Sequence, residues 1–566
     1  MISTQIKEIE SSPAVFLVAM LSASVDFIKE PFHARILRDI WSHHLANPGK
    51  PAFINAEDES DFVTYGDLHR IVLSIANFLH KNNIGKGQIG SIVLPNSWHY
   101  AAFFLGMASV GGATSGVSPI ATEFELGRQF ADSETSVILT DKEHFPKVQA
   151  SAKHMDHIII VIDARANDSL GSKVKRWVDI AAYEPVFDLS KVHFDLENDL
   201  IALPYSSGTT GVPKGVMLTH QNYNFLIDSM TIHNETYVYP YIYEDVDFRR
   251  EYGIAFLPFY HAYGFWLLNS SMSRGVTEIV MKKFNFELAL KLVEKYKIRG
   301  IGAVPAIVIL LAKSPIVSKY DLSSLQVIAS GGAPLSKELC DEVLKRIPSI
   351  LAVIQGYGMT ELTCACHAAR LNGEYLFGSV GHVIPGTEHK VMDLTTNTEC
   401  KPGEKGELWI RGPQIMKGYY GKPKETAETF AEGGWLRTGD VVYEDKNGNM
   451  FICDRIKELI KVSAYQVPPA ELEALILTHP NVADCGVIGI PDKKHGELPR
   501  AYVVLKNKNG SLQEIADFVK GKVSHYKELK GGVESVDALP RTPAGKIMRR
   551  ILKEDYLRRL EPKSKL

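Results

Sequence analysis

The chain contains 566 residues, of which 45% are hydrophobic and 23% are charged, proportions that are ordinary for a globular protein. That length exceeds what one hydrophobic core serves, so more than one domain is expected. The 63 basic and 66 acidic residues give a net charge of −3, which argues against a dedicated nucleic-acid-binding protein.

The longest apolar run near the N-terminus, Ala14–Leu21, is too short to span a bilayer. It is preceded by Lys7, Glu8 and Glu10, and therefore lacks the basic leader of a secretory signal. We expect an N-terminal helix that packs on the body of the protein, and no transmembrane segment.

Short β-branched segments alternate with amphipathic helices from about residue 64 onward. Runs such as Ser91–Leu94 and His157–Ile162 are typical of buried strands, and Tyr100–Ala108 has the composition of a buried helix. This alternation predicts stacked α/β layers. After about residue 385 the strands become shorter and the turns tighter, with Asn447-Gly448 as a hairpin turn, which predicts a β subdomain.

A compact segment of different texture follows Asp454-Arg455-Ile456-Lys457. It contains a predicted helix at Ala470–Leu477, two β runs, and a second predicted helix from Ser511 to about Tyr526. This order predicts a small α+β domain. We place the boundary near 454–458, which divides the chain into a large domain (1–454) and a small one (455–566).

The segment Tyr205–His220 is unusually dense in glycine and hydroxyl residues. Glycines let backbone N–H groups approach a polyphosphate, hydroxyls donate hydrogen bonds, and Lys214 adds a positive charge. The glycines are Gly208, Gly211 and Gly215, and the hydroxyl residues are Ser206, Ser207, Thr209 and Thr210. The spacing is not that of a Walker A loop, and a flexible linker would not follow an apolar strand such as Leu200–Pro204. The segment predicts a phosphate-binding loop of another lineage.

Three further motifs begin where predicted strands end. They are Pro258–Tyr263 after Gly253–Leu257, Ser330–Pro334 after Leu325–Ala329, and Gln355–Glu361 after Leu351–Ile354. Open α/β sheets bind their ligands at the carboxyl ends of the strands. The three motifs are therefore expected to line one site together with the glycine-rich loop.

The segment Cys364-Ala365-Cys366-His367 carries groups that bind metals. No second pair of ligands follows at the spacing of a zinc site, so a core or pocket-lining segment is the preferred interpretation. The six cysteines are scattered along the chain, which indicates a reduced compartment rather than a disulfide scaffold.

The last three residues, Ser564-Lys565-Leu566, form a tripeptide that acts as a peroxisomal address at a free C-terminus. The polar tail before them could reach a receptor. We therefore expect a peroxisomal location and binding to the peroxisomal import receptor through these residues.

Taken in order, these motifs resemble the signatures of the adenylate-forming superfamily of acyl-CoA synthetases, 4-coumarate–CoA ligases and firefly luciferase. The chain looks most similar to peroxisomal 4-coumarate–CoA ligase-like acyl-CoA synthetases, and the resemblance runs from about Thr64–Leu68 to the C-terminus. It implies a large multilayer α/β domain with a β subdomain and a small mobile α+β domain. It also implies a ligase that uses a carboxylic acid, ATP, Mg²⁺ and CoA, and the expected peroxisomal location favours a fatty or aryl-alkyl acid.

The resemblance also implies how the nucleotide is held. Glu361 would bind Mg²⁺, Tyr357 would offer a flat face to adenine, and Thr360 would place a hydroxyl near the phosphates. Asp440, in Trp435–Asp440, would accept from the ribose hydroxyls, and Arg455 would complete the ribose contacts. The implied ATP/AMP site comprises Ser206, Ser207, Gly208, Thr209, Thr210, Lys214, Gly332, Gln355, Gly356, Tyr357, Thr360, Asp440, Arg455 and Lys546.

The catalytic lysine implied by the resemblance is Lys546, which lies in the Pro- and Gly-containing segment Pro540–Lys546. Such a segment predicts a loop that can carry the lysine to the other domain, where it would reach the α-phosphate and the carboxylate. The implied catalytic residues are Lys546, Thr360 and His261, and the implied acyl-pocket residues are His261, Tyr263, Gly332 and Ala368. An ordinary core histidine and an exposed surface lysine are the alternative interpretations of His261 and Lys546.

The CoA half of the implied reaction rests on residues that depart from the family pattern. Relatives have a second lysine and a glycine where this chain has Ser463 and Ala464, at positions that line the pantetheine tunnel. Alanine removes some of the space and freedom of glycine, so the efficiency of the CoA step stays open. The implied CoA-binding residues are Lys283, Lys461, Ser463 and Ala464, and the implied hinge residue is Lys457.

Two other functions stay open at this point. The acyl-AMP could pass to another acceptor, such as oxygen in luciferases, or the chain could be a catalytically silent nucleotide-binding relative. The presence of Lys214, Glu361, Asp440 and Lys546 together argues against the silent relative. The sequence does not identify the acid.

Overall fold

The computed structural model describes residues 29–168, 171–188, 190, 192–206, 213–373, 376–462, 465–492, 494–507, 510–520, 522–542 and 545–560. The predicted N-terminal helix around Ala14–Leu21 and the C-terminal Ser564-Lys565-Leu566 lie outside these residues. None of the helices in the described ranges combines the length and the apolar character needed to cross a membrane.

The helices begin where the sequence provides caps. Thr122 and Thr219 each form a capping box, in which the threonine accepts from the backbone of the third helical residue and that residue's side chain accepts in return. The helices are α1 (Phe32–Ala46), α2 (Tyr65–Lys81), α3 (Trp98–Ser109), α4 (Glu123–Asp132), α5 (Phe145–Ala152), α6 (Trp177–Ala181), α7 (His220–Tyr237), α8 (Ala262–Arg274), α9 (Phe286–Tyr296), α10 (Pro305–Lys313), α11 (Lys337–Arg346), α12 (Pro423–Thr429), α13 (Pro469–Leu477), α14 (Leu512–Lys520) and α15 (Arg549–Leu560).

The strands of the described residues form five sheets. They are β1 (Pro51–Asn55), β2 (Phe62–Thr64), β3 (Ile89–Val93), β4 (Ala113–Val117), β5 (Thr135–Thr140), β6 (Ile158–Val161), β7 (Val174–Arg176), β8 (Leu200–Ala202), β9 (Tyr205–Ser206), β10 (Lys214–Thr219), β11 (Tyr252–Ala255), β12 (Thr277–Val280), β13 (Gly300–Ala303), β14 (Val327–Ser330), β15 (Ala352–Tyr357), β16 (His367–Ala368), β17 (His382–Val383), β18 (Glu388–Met392), β19 (Gly406–Arg411), β20 (Gly418–Tyr419), β21 (Phe430–Ala431), β22 (Trp435–Glu444), β23 (Met450–Arg455), β24 (Ile460–Val462), β25 (Tyr465–Val467), β26 (Val482–Asp492), β27 (Gly496–Leu505) and β28 (Val533–Ser535).

Three sheets build the body of the large domain. A nine-stranded sheet has the order β20-β10-β8-β4-β3-β5-β6-β7, with β9 paired to β10, and a four-stranded sheet has the order β11-β12-β1-β2. In the third sheet, β13-β14-β15-β16-β17, the first three strands are parallel. Their carboxyl ends therefore lie at one edge, where the motif Ser330–Pro334 begins with the last residue of β14 and the motif Gln355–Glu361 begins with the last three residues of β15.

Two smaller sheets complete the chain. The β subdomain has the order β18-β19-β22-β21, with β23 on β22, and the C-terminal sheet has the order β25-β24-β27-β26, with β28 on β27. The C-terminal sheet has a hydrophobic cluster of its own, which includes Ile460, Leu472 and Val503. The prediction of a large layered α/β domain with a β subdomain, followed by a small α+β domain, is confirmed.

Individual elements test the sequence-based predictions. β3 and β6 confirm the strands predicted at Ser91–Leu94 and His157–Ile162, and α3 confirms the buried helix at Tyr100–Ala108. The hairpin turn is also confirmed, because Gly448 lies between β22 and β23 with a φ of 81°. Ala14–Leu21 is the one predicted element of this set that falls outside the described residues.

The predicted helix from Ser511 to about Tyr526 was too long. α14 ends at Lys520, and Tyr526 lies in a separate 3-10 turn, His525–Lys527. The physical reason is that Gly521 follows α14 in the sequence, and glycine is among the least favourable residues in a helix interior.

Candidate active site

A close approach of side chain to backbone marks the edge where β13, β14 and β15 end. The Tyr263 hydroxyl donates a hydrogen bond to the carbonyl oxygen of Ala329 at 2.9 Å. A Cβ atom on Gly331 would lie 3.2 Å from Cε1 of the Tyr263 ring. Gly332 has a φ of 87°, in the left-handed region that favours glycine. Gly331 is thus favoured by the close contact with Tyr263, and Gly332 is favoured by its positive φ. Neither glycine has a side chain to cover the backbone at this strand end.

Asp440 joins two predicted nucleotide residues. Its Oδ2 atom accepts a hydrogen bond of 2.5 Å from the Tyr357 hydroxyl, and its Oδ1 atom lies 3.1 Å from Nε of Arg455. Asp440 and Arg455 face each other in the register of β22 and β23, which explains how the sequence brings them together. The carboxylate is buried, with 3% of the residue exposed, and these two donors offset the free-energy cost of burying it.

Glu361 is a second buried carboxylate at the same edge. Its Oε1 atom accepts hydrogen bonds from the Ser206 and Tyr419 hydroxyls, both at 2.9 Å. Lys214 Nζ lies 4.8 Å from the centroid of the Tyr419 ring. Among the salt bridges of the described residues, none involves Glu361. The arrangement therefore presents a buried carboxylate with hydroxyl donors and no bound ammonium or guanidinium.

The loop that carries Lys546 is held by its own hydrogen bonds. The backbone N–H of Lys546 donates to the Thr542 hydroxyl at 3.1 Å, and the Thr542 N–H donates to the Lys546 carbonyl oxygen at 2.8 Å. Arg541 donates to the carbonyl oxygen of Gly545 at 2.7 Å and pairs with Asp484 of β26 at 2.7 Å. The small domain thus presents Lys546 on a braced turn, as the sequence predicts for a loop.

Lys546 lies among charged groups of the opposite side of the site. Desolvation and the neighbouring Arg455 guanidinium lower the pKa of Lys546, whereas the Asp440 and Glu361 carboxylates act in the opposite direction. Lys546 is nevertheless exposed to solvent over part of its surface. Two cations, Lys546 and Arg455, and two carboxylates, Asp440 and Glu361, therefore share one cleft.

His261 lies next to this cleft. Burial, reinforced by the charge of Lys546, lowers the pKa of His261 to about 4. The imidazole is therefore neutral at physiological pH. Its Nε2 atom is buried and has no hydrogen-bond partner among the described residues, so it is free to contact a ligand.

Gln355 lies within β15, and Thr360 follows the end of that strand by three residues. The Gln355 side chain is buried and its Oε1 atom accepts from the Leu335 N–H at 2.8 Å, which ties β15 to the segment after β14. Its Nε2 atom has no partner among the described residues. Thr360 begins a 3-10 turn, Thr360–Leu362, that also places Glu361.

Small residues lie beside two of the predicted acyl-pocket residues, Ala368 and Tyr263. Ala368 of β16 pairs with Gly356 of β15, so both are on the same short ladder. Leu267 and Gly302 are not among the predicted residues, but a Cβ on Gly302 would lie 2.6 Å from Leu267 and 3.2 Å from the Tyr263 hydroxyl. The available signal was a glycine inside the short strand β13, which ends two residues before Pro305, and the need for glycine there depends on the Leu267 and Tyr263 contacts.

The predicted CoA and hinge residues lie elsewhere. Lys283, Lys457 and Lys461 are exposed, and the Lys461 N–H donates to Glu497 of β27 at 3.0 Å. Within the described ranges, no hydrogen bond or salt bridge joins these lysines to Asp440 or Glu361. Several predicted residues fall outside the described residues, namely Ser207, Gly208, Thr209, Thr210, Ser463 and Ala464.

Tyr419 is the contact residue that the sequence-based prediction omitted. It lies in β20, opposite Val216 of β10, and this pairing places its hydroxyl beside Glu361. The signal in the sequence was Gly418-Tyr419-Tyr420-Gly421, a turn-like segment with two aromatic residues. Nothing in its spacing from the other motifs predicts that it reaches the carboxylate.

Comparisons with known proteins identify the family. The family model described as AMP-binding enzyme matches residues 41–420, and the AMP-binding enzyme C-terminal domain matches residues 471–546. The chain belongs to the AMP-binding enzyme family. The two matches contain the glycine-rich segment, Glu361 and Lys546, so they cover most of the cleft described above.

Relatives of this AMP-binding enzyme cover nearly its whole length. Acyl-CoA synthetase 7 of Caenorhabditis elegans is 40% identical over 530 residues, which are 93% of this chain and 96% of that protein. Peroxisomal OPC-8:0-CoA ligase 1 of Arabidopsis thaliana is 36% identical over 90% of this chain and 91% of its own length. The crystal structure of ATP-bound MatB from Rhodopseudomonas palustris superimposes with a TM-score of 0.81 at 26% identity, over 92% of this chain and 99% of that one.

Proposed function

We propose that this AMP-binding enzyme is an ATP-dependent carboxylic acid–CoA ligase. In the first step the acid's carboxylate oxygen attacks the α-phosphorus of ATP, the bond to the β-phosphate breaks, and acyl-AMP and pyrophosphate form. In the second step the sulfur of CoA attacks the acyl carbonyl carbon and AMP leaves. The relatives that are acyl-CoA synthetases and CoA ligases support this reaction class.

The single observation that carries the proposal is the position of Lys546. Lys546 of the small domain lies within electrostatic reach of Asp440, Glu361 and Arg455, and hydrogen bonds of Thr542 and Arg541 hold the turn that carries it. A cation delivered there can stabilise the negative charge that develops where a carboxylate meets the α-phosphate. Two anions repel each other, so this step needs such a group.

The other residues have roles that follow from their contacts. Asp440 would accept from the ribose hydroxyls and Arg455 would hold the carboxylate in place through its ion pair, while Tyr357 would face the adenine. His261, which is neutral at physiological pH, would contact the acid without adding charge. We further propose the remaining nucleotide contacts Ser206, Ser207, Gly208, Thr209, Thr210, Lys214, Gly332, Gln355, Gly356 and Thr360, and the acyl-pocket residues Tyr263 and Ala368.

Glu361 fits a magnesium ion. It is a buried carboxylate oriented by two hydroxyls, and hard oxygen ligands of this kind are what Mg²⁺ prefers. A magnesium ion held there together with ATP would neutralise phosphate charge. The residues Ser206 and Tyr419 would keep the Glu361 carboxylate in one orientation, and Lys214 would add a second positive charge on the phosphate side.

The second step requires another arrangement of the small domain. We propose a boundary at residues 454–455 and a hinge near 454–458 that includes Lys457, so that the small domain rotates after acyl-AMP has formed. Rotation would remove Lys546 and bring Lys461, Ser463 and Ala464 toward the acyl-AMP, with Lys283 near the CoA path. The exposure of Lys457 and Lys461 supports this reading, because neither is committed to the cleft.

The experiment that tests the function is a panel of carboxylic acids assayed in parallel for pyrophosphate release and for acyl-CoA, with CoA present or absent. We expect at least one fatty or aryl-alkyl acid to give both products. Acyl-AMP without thioester from every acid would mean that the acyl-AMP goes to another acceptor. Nucleotide binding without pyrophosphate from any acid would mean a silent relative, and Lys546→Ala provides the matched inactive control.

We also propose that the enzyme is peroxisomal, because the chain ends in Ser564-Lys565-Leu566. The similarity to a relative named a peroxisomal CoA ligase supports this location. Deleting the three residues should leave activity intact and move a fluorescent fusion to the cytosol, since the end of a polar tail contributes little to a core. Continued import of the truncated fusion would contradict the proposal.

A further inference from the structure

Asp132, the last residue of α4, binds two side chains from distant parts of the chain. Its Oδ2 atom accepts from the Tyr205 hydroxyl at 2.7 Å, and its Oδ1 atom accepts from Lys422 Nζ at 2.9 Å. A carboxylate at the C-terminus of a helix faces the negative end of the helix dipole. Its position there is therefore unfavourable for the helix itself and is offset only by these two donors.

Both partners of Asp132 adjoin residues that contact Glu361. Tyr205 directly precedes Ser206, whose hydroxyl donates to Glu361. Lys422 donates its N–H to the carbonyl oxygen of Tyr419 at 3.1 Å, and the Tyr419 hydroxyl donates to the same Glu361 oxygen. Two short segments, Tyr205-Ser206 and Tyr419–Lys422, thus connect the Asp132 carboxylate with the Glu361 carboxylate.

Strand pairing through β10 links these two segments to each other. In β9 and β10, Tyr205 pairs with Gly215 and Ser206 pairs with Lys214, while Tyr419 of β20 pairs with Val216. Tyr205, which Asp132 holds, is adjacent to Ser206, and Lys422, which Asp132 also holds, is three residues after Tyr419. A shift of Tyr205 or Lys422 would therefore move Ser206, Lys214 or Tyr419.

We propose that Asp132 is a positioning residue for the ATP phosphates: it holds Tyr205 and Lys422, and through them sets Ser206, Lys214 and Tyr419 around Glu361. Asp132 itself touches no reacting atom. The inference rests on the proposed function in that the bound anion is the triphosphate of ATP. Hydrogen bonding to Asp132 also raises the pKa of Lys422, so that the ammonium stays charged over the working range of pH.

The alternative is that Asp132 merely stabilises the fold. The matched control is Asp228, a carboxylate of α7 that pairs with Arg35 of α1 at 2.6 Å. The Asp228 side chain is 15% exposed and that of Asp132 is 24% exposed, so both are part-buried and each joins a helix to another element. Asp228→Asn should therefore reproduce any purely structural effect of Asp132→Asn.

The test compares wild type, Asp132→Asn and Asp228→Asn in three measurements on the full-length enzyme: binding of MgATP without acid, acyl-AMP formation, and thioester formation from supplied acyl-AMP. For Asp132→Asn we expect a rise of about tenfold in the Kd and KM for ATP, since a charge-assisted contact is lost. The KM for the acid and the thioester step should stay at the wild-type values. Asp228→Asn should change none of these, and Asp132→Glu should restore part of the ATP affinity.

Two variants sharpen the test further. Tyr205→Phe and Lys422→Met should each weaken ATP binding, and combining either with Asp132→Asn should add little, because both changes remove the same contact. Unchanged MgATP binding in Asp132→Asn, or equal loss in the two half-reactions, would overturn the inference. Failure of the wild type to make acyl-AMP from any acid would contradict the proposed function instead, because MgATP binding is measured without chemistry.

Discussion

At the scale of single residues, the site is built from carboxylates whose partners are fixed before any ligand binds. Asp440 accepts a hydrogen bond from Tyr357 and forms an ion pair with Arg455. Glu361 accepts hydrogen bonds from Ser206 and Tyr419. A buried carboxylate costs free energy unless it is hydrogen-bonded, so each of these contacts also stabilises the charge that a ligand will use. The consequence is that single polar substitutions should act on ligand affinity more than on the fold.

Asp440→Asn tests the proposed ribose contact. We expect the Kd for ATP to rise about 10- to 100-fold, because charge-assisted hydrogen bonds to the ribose and the ion pair with Arg455 are both weakened. Isothermal titration with MgATP measures the change. Tyr357→Phe is the control, since it removes a hydroxyl from the same carboxylate and keeps the charge. Wild-type affinity in Asp440→Asn would remove this residue from the nucleotide site.

His261 leads to a prediction about pH. Its pKa is lowered to about 4 from an ordinary value near 6.5, so the folded enzyme holds a neutral imidazole above about pH 5. The unfolded chain binds a proton on this residue between those values, so His261 contributes less and less to stability as pH falls from 6.5 toward 4. The pH profile of acyl-AMP formation should therefore show no loss of activity from His261 between pH 6 and 8.

The measurement is kcat/KM for acyl-AMP formation against pH in wild type and His261→Gln. We expect a lower plateau in the variant, because a contact to the acid is lost, and the same position of the acidic limb in both enzymes. A limb near pH 6.5 that disappears in His261→Gln would show that this histidine titrates in its ordinary range.

At the scale of elements, the position of Lys546 depends on contacts made by Arg541, an earlier residue of the same segment. Arg541 pairs with Asp484 of β26 and donates to the carbonyl oxygen of Gly545, which has a φ of 79°. Without those contacts, the short turn would sample other conformations and Lys546 would leave the cleft for part of the time. A catalytic group that is displaced by about 1 Å loses much of its effect.

Arg541→Ala should therefore lower kcat for acyl-AMP formation by about tenfold, whereas the KM for ATP should change little. The thioester step from supplied acyl-AMP should be unaffected, because it does not use Lys546. The control is Arg550→Ala, which removes an exposed pair with Glu554 inside α15. Equal effects of the two substitutions would show that bracing of the loop is not the cause.

At the scale of the whole molecule, the structure brings together the residues predicted for the first half-reaction but not those predicted for the second. Lys546 lies beside Asp440 and Glu361, whereas Lys461 is exposed and hydrogen-bonded through its backbone to Glu497 of its own domain. Under the proposed function, this orientation of the small domain would serve adenylation. Thioester formation requires a second orientation if Lys461 and its neighbours are to reach the acyl-AMP.

The two half-reactions should accordingly separate by mutation. Lys546→Ala should abolish acyl-AMP formation and still convert supplied acyl-AMP to acyl-CoA. Ala464→Leu should do the reverse, because a larger side chain at the proposed tunnel excludes pantetheine, and Ala464→Gly should keep or raise CoA turnover. Parallel loss of both half-reactions in Lys546→Ala and Ala464→Leu would contradict a swivelling domain.

Much of the fold follows from local patterns. Buried strands such as β3 and β6 and the buried helix α3 can be predicted from the sequence, because runs of β-branched or apolar residues are typical of buried elements. α14 is the exception, since the amphipathic pattern continues past Lys520 although Gly521 follows. The placement of motifs after strands β14 and β15 also follows from the sequence, because parallel strands must end at a common edge.

The sequence by itself predicted which residues would hold ATP: glycines and hydroxyls in one loop, and Glu361, Asp440 and Lys546 in three separate motifs. Only the tertiary structure decided which of them meet. Ser206 and Glu361 are 155 residues apart, and Asp132 and Lys422 are 290 apart. The physical reason is that local patterns depend on neighbours in the chain, whereas contacts across such distances depend on how sheets and helices pack.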